Sequence, residues 1–185
     1  MKLNISWDQY LEIEKLSLGV FHPLKTFMDK KDFESCVNYM RLYDGTVFTI
    51  PIIFDLIKSD AKKFERAALV NLYFNSEHVA DIIPHTVYQV DKKDACFKIF
   101  GTLKQGHPGV NYFLGLGDFF ATGEIELFKR PLSSFQKYEL TPNQVKKKIS
   151  DFGWKKTVGF QTRNVPHRAH EYLQKIALEH ADGIL

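Results

Sequence analysis

The sequence contains few of the residues that build a disulfide framework or a cysteine-rich metal site. Only two cysteines, Cys36 and Cys96, occur in 185 residues, and neither belongs to a CxxC pair. Small secreted domains are stabilised by several disulfides, and structural zinc sites use closely spaced cysteines. We therefore expect both thiols to be reduced and buried, and we assign no role to either.

Long apolar runs are missing as well. The segment 46–56 is among the most apolar, yet it is far shorter than the roughly 20 residues that a membrane-spanning helix needs. Acidic residues interrupt the first 15 positions, where a signal peptide would require a continuous apolar stretch. No internal repeat or low-complexity segment is present. The sequence predicts a soluble, cytoplasmic protein without a membrane partner.

A strong excess of one charge is also absent. The formal net charge is +3 and the isoelectric point is about 8.7, which is compatible with anionic ligands without requiring nucleic acid. The densest basic run, Lys146 to Lys148, fits the solvated face of a helix better than a nucleic-acid patch. Nucleic acid is therefore not expected as a partner.

Aromatic and β-branched residues are plentiful in the first 140 positions. The whole chain is 44% hydrophobic and contains 16 phenylalanines, which is enough for a folded core. Asp29 is a candidate N-cap for a helix with Asp32 at its third position. Strand-like segments follow, and Pro51 predicts an edge or a bulge in the first of them. These segments are 46–56, 67–74, 82–91 and 95–103. The pattern predicts a small, aromatic-rich barrel or curled sheet with peripheral helices.

The pattern changes after a polar, proline-flanked stretch at 131–141. Thr141, Pro142 and Gln144 have the layout of a capping box at the start of a helix that Gly153 would end. A short strand at 154–160, a helix to about His180 and a strand beginning near 183 come next. The apolar stripes of the two helices are Val145, Ile149 and Phe152, and Ala169, Leu173, Ile176 and Ala177. This order predicts domains at 1–140 and 141–185, the second opening a layered α/β fold with a parallel sheet.

Six side chains that form hydrogen bonds lie within ten positions, where the predicted strand leads into the second helix. Helix N-termini at the carboxyl ends of parallel strands favour anions. The guanidinium of Arg163 suits two oxygens of a sulfate or phosphate, and two histidines three positions apart on a helix can donate to charge that develops at phosphorus. The six are Gln161, Thr162, Arg163, Asn164, His167 and His170.

Two other interpretations of this cluster remain open. The His-x-x-His pair could ligate zinc, although no third ligand stands at a diagnostic spacing. Alternatively, Arg163 and Asn164 could cap the helix while the histidines are merely solvated. Six such side chains at one strand-to-helix turn are more than a cap requires, which favours the anion site.

The stretch "FQTRNVPHRAH" resembles the signature of the ATP sulfurylases (sulfate adenylyltransferases), usually Gln-x-Arg-Asn-Pro-x-His-x-x-His. The segments "GVFHPLKTFM", "MRLYDGTVFTIPI", "HPGV" and "HADGIL" resemble family stretches in the same order. The resemblance covers nearly the whole chain but only about the N-terminal half of a typical member. Val165 stands where the family usually has proline, and Pro166 follows it. Proline is tolerated at either place before a helix, so we expect a slightly shifted cap.

The resemblance implies an α+β chain: a PUA-like β-barrel with peripheral helices, followed by the first helix-strand-helix of a Rossmann-like nucleotidyltransferase domain. It implies sulfate assimilation, in which sulfate attacks ATP, supplied with Mg²⁺, to give adenosine 5'-phosphosulfate and pyrophosphate, without a protein-bound metal. By carry-over, Gln161 and Arg163 bind sulfate, and Thr162, Arg163, Asn164, His167 and His170 are catalytic. The five catalytic positions and Gln161 also contact ATP. The histidine of "HPGV" is expected to be structural.

The resemblance leaves partners and activity open in two respects. It is compatible with a homo-oligomer, or with a separate C-terminal half that completes the catalytic domain, and we expect the 185-residue chain to be inactive alone. Two alternatives remain: a non-catalytic PUA-like module that binds nucleic acid or protein, and a nucleotidyltransferase with another acceptor. Gln161 and Arg163 favour sulfate over other acceptors only by analogy.

Overall fold

The computed structural model describes residues 1–130 and 135–185. Contacts divide the chain into two compact units, Met1–Leu132 and Ser133–Leu185, which we describe separately as unit 1 and unit 2. Part of the predicted linker, residues 131–134, lies outside the described residues. Across the described ranges, no helix is both long and apolar enough to cross a membrane.

Unit 1 is built on one mixed, five-stranded sheet with the order β1-β3-β4-β5-β2. β1 pairs with β3 in parallel, and the remaining neighbours are antiparallel. Within the described residues no pairing joins the edge strands β1 and β2. Of the two predicted forms, a barrel or a curled sheet, the structure has the curled sheet, as a half-barrel. The strands are β1 (Lys2–Asn4), β2 (Phe54–Leu56), β3 (Val70–Phe74), β4 (Glu77–Tyr88) and β5 (Phe119–Leu127).

In the described part of unit 1 there are five helices besides the sheet, and most begin at a side-chain cap. Ser6 and Gln9 form a capping box, Asp29 accepts from the Asp32 amide as predicted, and His107 accepts from the Val110 amide. The histidine of "HPGV" is therefore a helix cap. The helices are α1 (Trp7–Ser17), α2 (Lys30–Tyr39), α3 (Lys58–Arg66), α4 (Lys92–Phe100) and α5 (Pro108–Gly115).

The prediction of a strand at 95–103 is wrong, because most of this segment lies in α4. Asp91 accepts hydrogen bonds from the amides of Lys93 and Asp94, both at 3.0 Å, and so fixes the first turn. Gly101 ends the helix in the left-handed region with φ of 67°. Capping and helical burial of Ala95 and Cys96 outweigh the strand preference of the neighbouring aromatic and β-branched side chains.

The two strand predictions that involved proline have different outcomes. In the segment 46–56 only Phe54–Leu56 forms a strand, at the edge of the sheet, and Pro51 precedes it. In β4 the register shifts between Pro84 and Thr86, because proline has no amide hydrogen to donate to the ladder. Proline therefore lies outside the strand in the first case and at a bulge within the strand in the second.

The core of unit 1 is dominated by phenylalanine. Phe27, Phe33, Phe54, Phe64 and Phe120 are all less than 2% exposed, and several of their rings pack at tilted angles. Both cysteines are buried free thiols, as expected. Burial, with the nearby carboxylate of Asp32, raises the pKa of the Cys36 thiol to about 11, so this thiol stays protonated and unreactive at neutral pH.

Unit 2 follows the predicted order of elements closely. A 3₁₀ turn (Gln136–Tyr138) precedes α6 (Pro142–Asp151), β6 (Thr157–Val158), α7 (Arg168–Leu178) and β7 (Gly183–Ile184). The capping box of Thr141 and Gln144 is confirmed, and Gly153 is left-handed with φ of 67°. β6 and β7 pair in parallel, as the sequence predicted.

Gly183 is required in β7 because the Trp154 ring covers it. A Cβ atom at this position would overlap the ring, which also stacks on Phe152 with centroids 5.0 Å apart. We expect Gly183→Ala to destabilise unit 2 by about 1–3 kcal/mol, since Trp154 would have to move. Hydrogen exchange of the β6 and β7 amides measures the change. Gly159→Ala is the matched control, because its Cβ would meet nothing within 4 Å; equal protection in both variants would contradict this account.

Asp182 fastens the segment before β6 to the segment before β7. Its Oδ2 atom accepts from the amides of Lys155 (2.7 Å) and Lys156 (2.8 Å), and these bonds lower the pKa of the carboxyl. A lowered pKa contributes stability above the unfolded value of about 4, and this stability is lost as pH falls through the folded value. Protection of the β6 amides should therefore fall below about pH 4.

The Asp182→Asn variant should lose most of that acid-dependent change, because the amide side chain does not titrate. Asp151→Asn is the control, since Asp151 forms an exposed ion pair with Lys147. Hydrogen exchange between pH 3 and pH 7 measures both variants. An unchanged acid transition in Asp182→Asn would contradict the assignment.

Candidate functional site

The polar cluster lies in the connection between β6 and α7, as the sequence predicted. Phe160 continues the ladder beyond β6 by donating its amide to the Leu185 carbonyl at 2.7 Å. The Leu185 amide in turn donates to the Val158 carbonyl at 2.9 Å. The connecting loop, residues 159–167, therefore starts from the carboxyl end of a parallel strand and ends at a helix N-terminus.

The first half of loop 159–167 is shaped by Thr162. Its hydroxyl oxygen accepts from the Asn164 amide at 3.1 Å, and the hydroxyl donates to the Asn164 carbonyl at 3.3 Å. Such a local turn competes with regular structure and holds the intervening residue at its tip. Arg163 occupies that tip and is exposed, so its guanidinium is available to an anion in solvent.

The second half of loop 159–167 is fixed by the two histidines. The Nδ1 atom of His167, the N-cap of α7, accepts from the Ala169 amide at 3.3 Å. The Nδ1 atom of His170 accepts from the backbone amide of His167 at 3.2 Å. The pair thus forms a capping box made of imidazoles, with ring centroids 4.1 Å apart.

These two hydrogen bonds determine which histidine nitrogen carries a proton. A nitrogen that accepts from an amide must present its lone pair, so each neutral ring carries its hydrogen on Nε2. The two Nε2–H groups remain as donors, on rings only 4.1 Å apart between centroids. The arrangement offers paired neutral donors beside the positive end of the α7 dipole, which suits a polyanion.

Four of the predicted site residues form two hydrogen-bonded pairs, and the other two belong to neither pair. Thr162 joins Asn164, and His167 joins His170. Gln161 and Arg163 are exposed, and the contacts within the described residues link neither of them to the histidines. The caps of α7 come from His167 and His170, so the alternative in which Arg163 and Asn164 cap the helix is wrong.

Sequence reasoning missed one contact that orients the site. The edge of Phe160 meets the His170 ring, with centroids 5.9 Å apart and planes at 83°. Since Phe160 is also held in the ladder by its amide, it limits the orientation of His170. The signal was available, because Phe160 is the apolar residue directly before the polar cluster.

Metal ligation has no geometric support in the part of the chain that the structure describes. There, no group of three or more His, Cys, Asp and Glu side chains could hold a metal ion. The two histidine Nδ1 atoms already accept from backbone amides, which leaves one nitrogen on each ring.

Two family models match adjacent parts of the chain. Residues 1–130 match a PUA-like domain, and residues 136–185 match ATP-sulfurylase. The resemblance first seen in the residues of loop 159–167 is thereby confirmed for the segment that contains them.

Curated relatives match along the whole chain. The sulfate adenylyltransferase of Pyrococcus abyssi is 38% identical over 183 residues, which cover 99% of this chain and 48% of the relative. The sulfate adenylyltransferase of Thermococcus onnurineus is 37% identical and covers 98% of this chain and 47% of the relative. The sulfate adenylyltransferase of Halothermothrix orenii is 36% identical, and the match covers 99% of this chain and 49% of the relative. The chain spans about half the length of the curated relatives it matches.

Among solved structures, the chain is similar in fold to the hexameric APS kinase from Thiobacillus denitrificans. The TM-score is 0.68 with 21% identity, over 96% of this chain and 32% of that one. Because the sequence identity is only 21%, this structural similarity shows a shared fold and nothing about activity. The chain therefore belongs to the PUA-like domain family through residues 1–130, and it is similar to the ATP-sulfurylase family over residues 136–185.

Proposed function

We propose that this chain carries the sulfate- and phosphate-binding loop of a sulfate adenylyltransferase. The observation that carries the proposal is the imidazole pair at the start of α7, whose Nδ1 atoms accept from backbone amides and whose Nε2–H groups are left as donors. The curated relatives with this activity match the chain from end to end.

The proposed reaction is nucleophilic substitution at the α-phosphate of MgATP. A sulfate oxygen forms a bond to the α-phosphorus, and the bond from that phosphorus to the bridging oxygen breaks. Adenosine 5'-phosphosulfate and magnesium pyrophosphate are the products. Sulfate is fully ionised at neutral pH and is a poor nucleophile, so the protein must position it and stabilise charge rather than remove a proton.

The residues of loop 159–167 and the start of α7 divide this work. Arg163 and Gln161 bind sulfate, because a guanidinium donates to two oxygens at once and an amide orients without adding charge. Thr162 and Asn164 hold Arg163 at the tip of the turn. His167 and His170 donate from Nε2 to phosphate oxygens as negative charge grows in the transition state. All six contact ATP.

We further propose that residues 141–185 form the first helix-strand-helix of a Rossmann-like nucleotidyltransferase domain, preceded by the PUA-like domain at 1–140. The parallel pairing of β6 and β7 supports this, since ligands in such sheets bind beyond the carboxyl ends of the strands. The partners of the site are ATP and sulfate, with Mg²⁺ entering as part of the nucleotide substrate. A homo-oligomer or a C-terminal catalytic half would complete the pocket.

Binding to the chain itself tests the proposal. Isotope-labelled protein is titrated with adenosine 5'-phosphosulfate and, separately, with inorganic phosphate, while backbone and imidazole resonances are followed by NMR. We expect the largest shifts at residues 159–170, including the Nε2–H signals of His167 and His170. An RNA oligonucleotide is titrated at two salt concentrations as the alternative ligand. Salt-sensitive RNA binding without any response of loop 159–167 to the nucleotide would favour the non-catalytic PUA-like module instead.

A further inference from the structure

A cavity of about 390 Å³ lies in unit 1 and is lined by α1, the segment 50–55 and the ends of α4 and α5. Its volume is within the range of small-molecule sites, roughly 300–1,000 Å³. The walls are mainly apolar and include Phe21, Ile50, Ile53, Ile99, Phe100 and Leu116. Such walls accommodate an apolar ligand body. None of the residues assigned to sulfate or ATP lines this cavity.

The charges around this cavity are mostly negative. Asp8, Glu12 and Asp55 line it with one lysine, Lys15, which pairs with Glu12 Oε1 at 2.7 Å. Asp55 is already satisfied, because its oxygens accept from Gln9 Nε2 at 2.8 Å and from the Gly117 amide at 2.7 Å. The carboxylate of Asp8 and the second oxygen of Glu12 are therefore the groups left for a ligand.

Glu12 Oε2 provides a second, independent indication. This atom is buried and, among the described residues, has no hydrogen-bond partner. A buried acceptor without a donor costs free energy, and native structures contain few of them. A ligand that brings a donor to Glu12, with a small adjustment of its side chain, would remove that cost.

Tyr112, which also lines the cavity, is affected by the same negative charges. Burial raises the pKa of its phenol, and the nearby carboxylates of Asp8, Asp55 and Glu12 raise it further. Burial disfavours any charge, but the three carboxylates that disfavour a phenolate attract a cation. The faces of Tyr112 and Phe100, which both line the cavity, can also attract an ammonium group through their π-electrons.

We propose that this cavity binds a small organic cation, a protonated amine carried on an apolar body. The ammonium group donates hydrogen bonds to Asp8 and to Glu12 Oε2, and the apolar body lies against the isoleucine and phenylalanine side chains. Both parts of the ligand are needed for recognition, because the carboxylates bind the positive charge and the apolar walls bind the hydrocarbon part. The residues that line the cavity include none of loop 159–167, and the proposal does not depend on the reaction proposed for that loop.

Three ligands of one shape test the charge requirement on the unmodified chain. Phenethylammonium is the cation, 2-phenylethanol the neutral analogue and phenylacetate the anion, each titrated by NMR while the amides of residues 8–15 and 112–116 are followed. We expect the ammonium to bind roughly tenfold or more tightly than the alcohol, as a charge-assisted hydrogen bond would give. Phenylacetate should not bind. Equal affinities for amine and alcohol, or no binding of the amine, would overturn the proposal.

Variants locate the site. Asp8→Asn combined with Glu12→Gln should weaken binding of phenethylammonium roughly tenfold while leaving that of phenylethanol unchanged. Asp60→Asn is the matched control, because Asp60, like Asp8, lies in the first turn of its helix but does not line the cavity. Circular dichroism checks that the variants fold, and the ligand series on the unmodified chain decides the question if they do not. An unchanged affinity in the folded double variant would refute the assignment.

Discussion

Arg163→Ala is expected to lower sulfate-dependent turnover about 100- to 1,000-fold, the usual effect of removing one donor to a developing charge. The assay uses a full-length chimera, in which this chain is joined to the part of the Pyrococcus abyssi relative that it does not match. Production of pyrophosphate from ATP is measured with and without sulfate. The fold should be unaffected, because Arg163 is exposed at the tip of a turn that Thr162 and Asn164 close without it.

Arg163→Lys separates geometry from charge. Lysine keeps the positive charge but replaces the planar fork of donors with a single ammonium, so it should recover little of the lost turnover. Arg66→Ala serves as the control, since Arg66 is an exposed arginine in the last turn of α3. Kinetics of Arg163→Ala like those of the unmodified chimera would exclude Arg163 from the site, whereas substantial rescue by lysine would mean that charge alone matters.

The start of unit 2 could be predicted because its signals are local. A capping box needs only Thr141 and Gln144 at the right spacing, and a left-handed stop needs only Gly153. The parallel pairing of β6 and β7 also followed from the order of elements, since a helix between two strands places them side by side in the same direction.

The failures in unit 1 arose where helix caps or the lack of a pairing strand outweigh the strand preference of the side chains. The segment that became α4 carries strand-forming side chains, yet Asp91 and Gly101 at its two ends were the more decisive signals. The predicted strand segment 46–56 is rich in β-branched residues but forms a strand only at Phe54–Leu56. A strand requires a pairing partner, and β5 pairs only with these three residues.

The position of the polar cluster at a strand-to-helix turn was predicted correctly, but the contacts within the cluster could not be predicted. Histidine is not among the preferred N-cap residues, so the capping box of His167 and His170 has no general sequence signature. Its consequence, a proton on each Nε2, depends on backbone amides whose positions only the fold provides. The roles of Gln161 and Arg163 remain predictions that rest on their exposure and on the family resemblance.

The 185-residue chain assayed alone should show no appreciable sulfate adenylyltransferase activity, at least about 1,000-fold below the chimera. Oriented donors act strongly only where water is excluded and the local dielectric is low. Gln161, Arg163, Asn164 and His167 are all exposed, so water competes with each of their hydrogen bonds. In this chain the proposed donors of loop 159–167 therefore lie in solvent, where they would stabilise charge only weakly.

The packing of α7 points to the same result. Tyr172, Leu173 and Ile176 are 64%, 56% and 37% exposed, so much of the apolar surface of this helix lies in solvent. In a layered α/β fold that surface packs against further strands, whose carboxyl ends contribute other loops to the nucleotide site. Sulfate-dependent pyrophosphate release by the purified chain, compared with the chimera at equal concentration, measures the difference. Comparable rates would show that loop 159–167 and α7 suffice for catalysis. They would also contradict the expectation that exposure to solvent weakens the hydrogen bonds of these side chains.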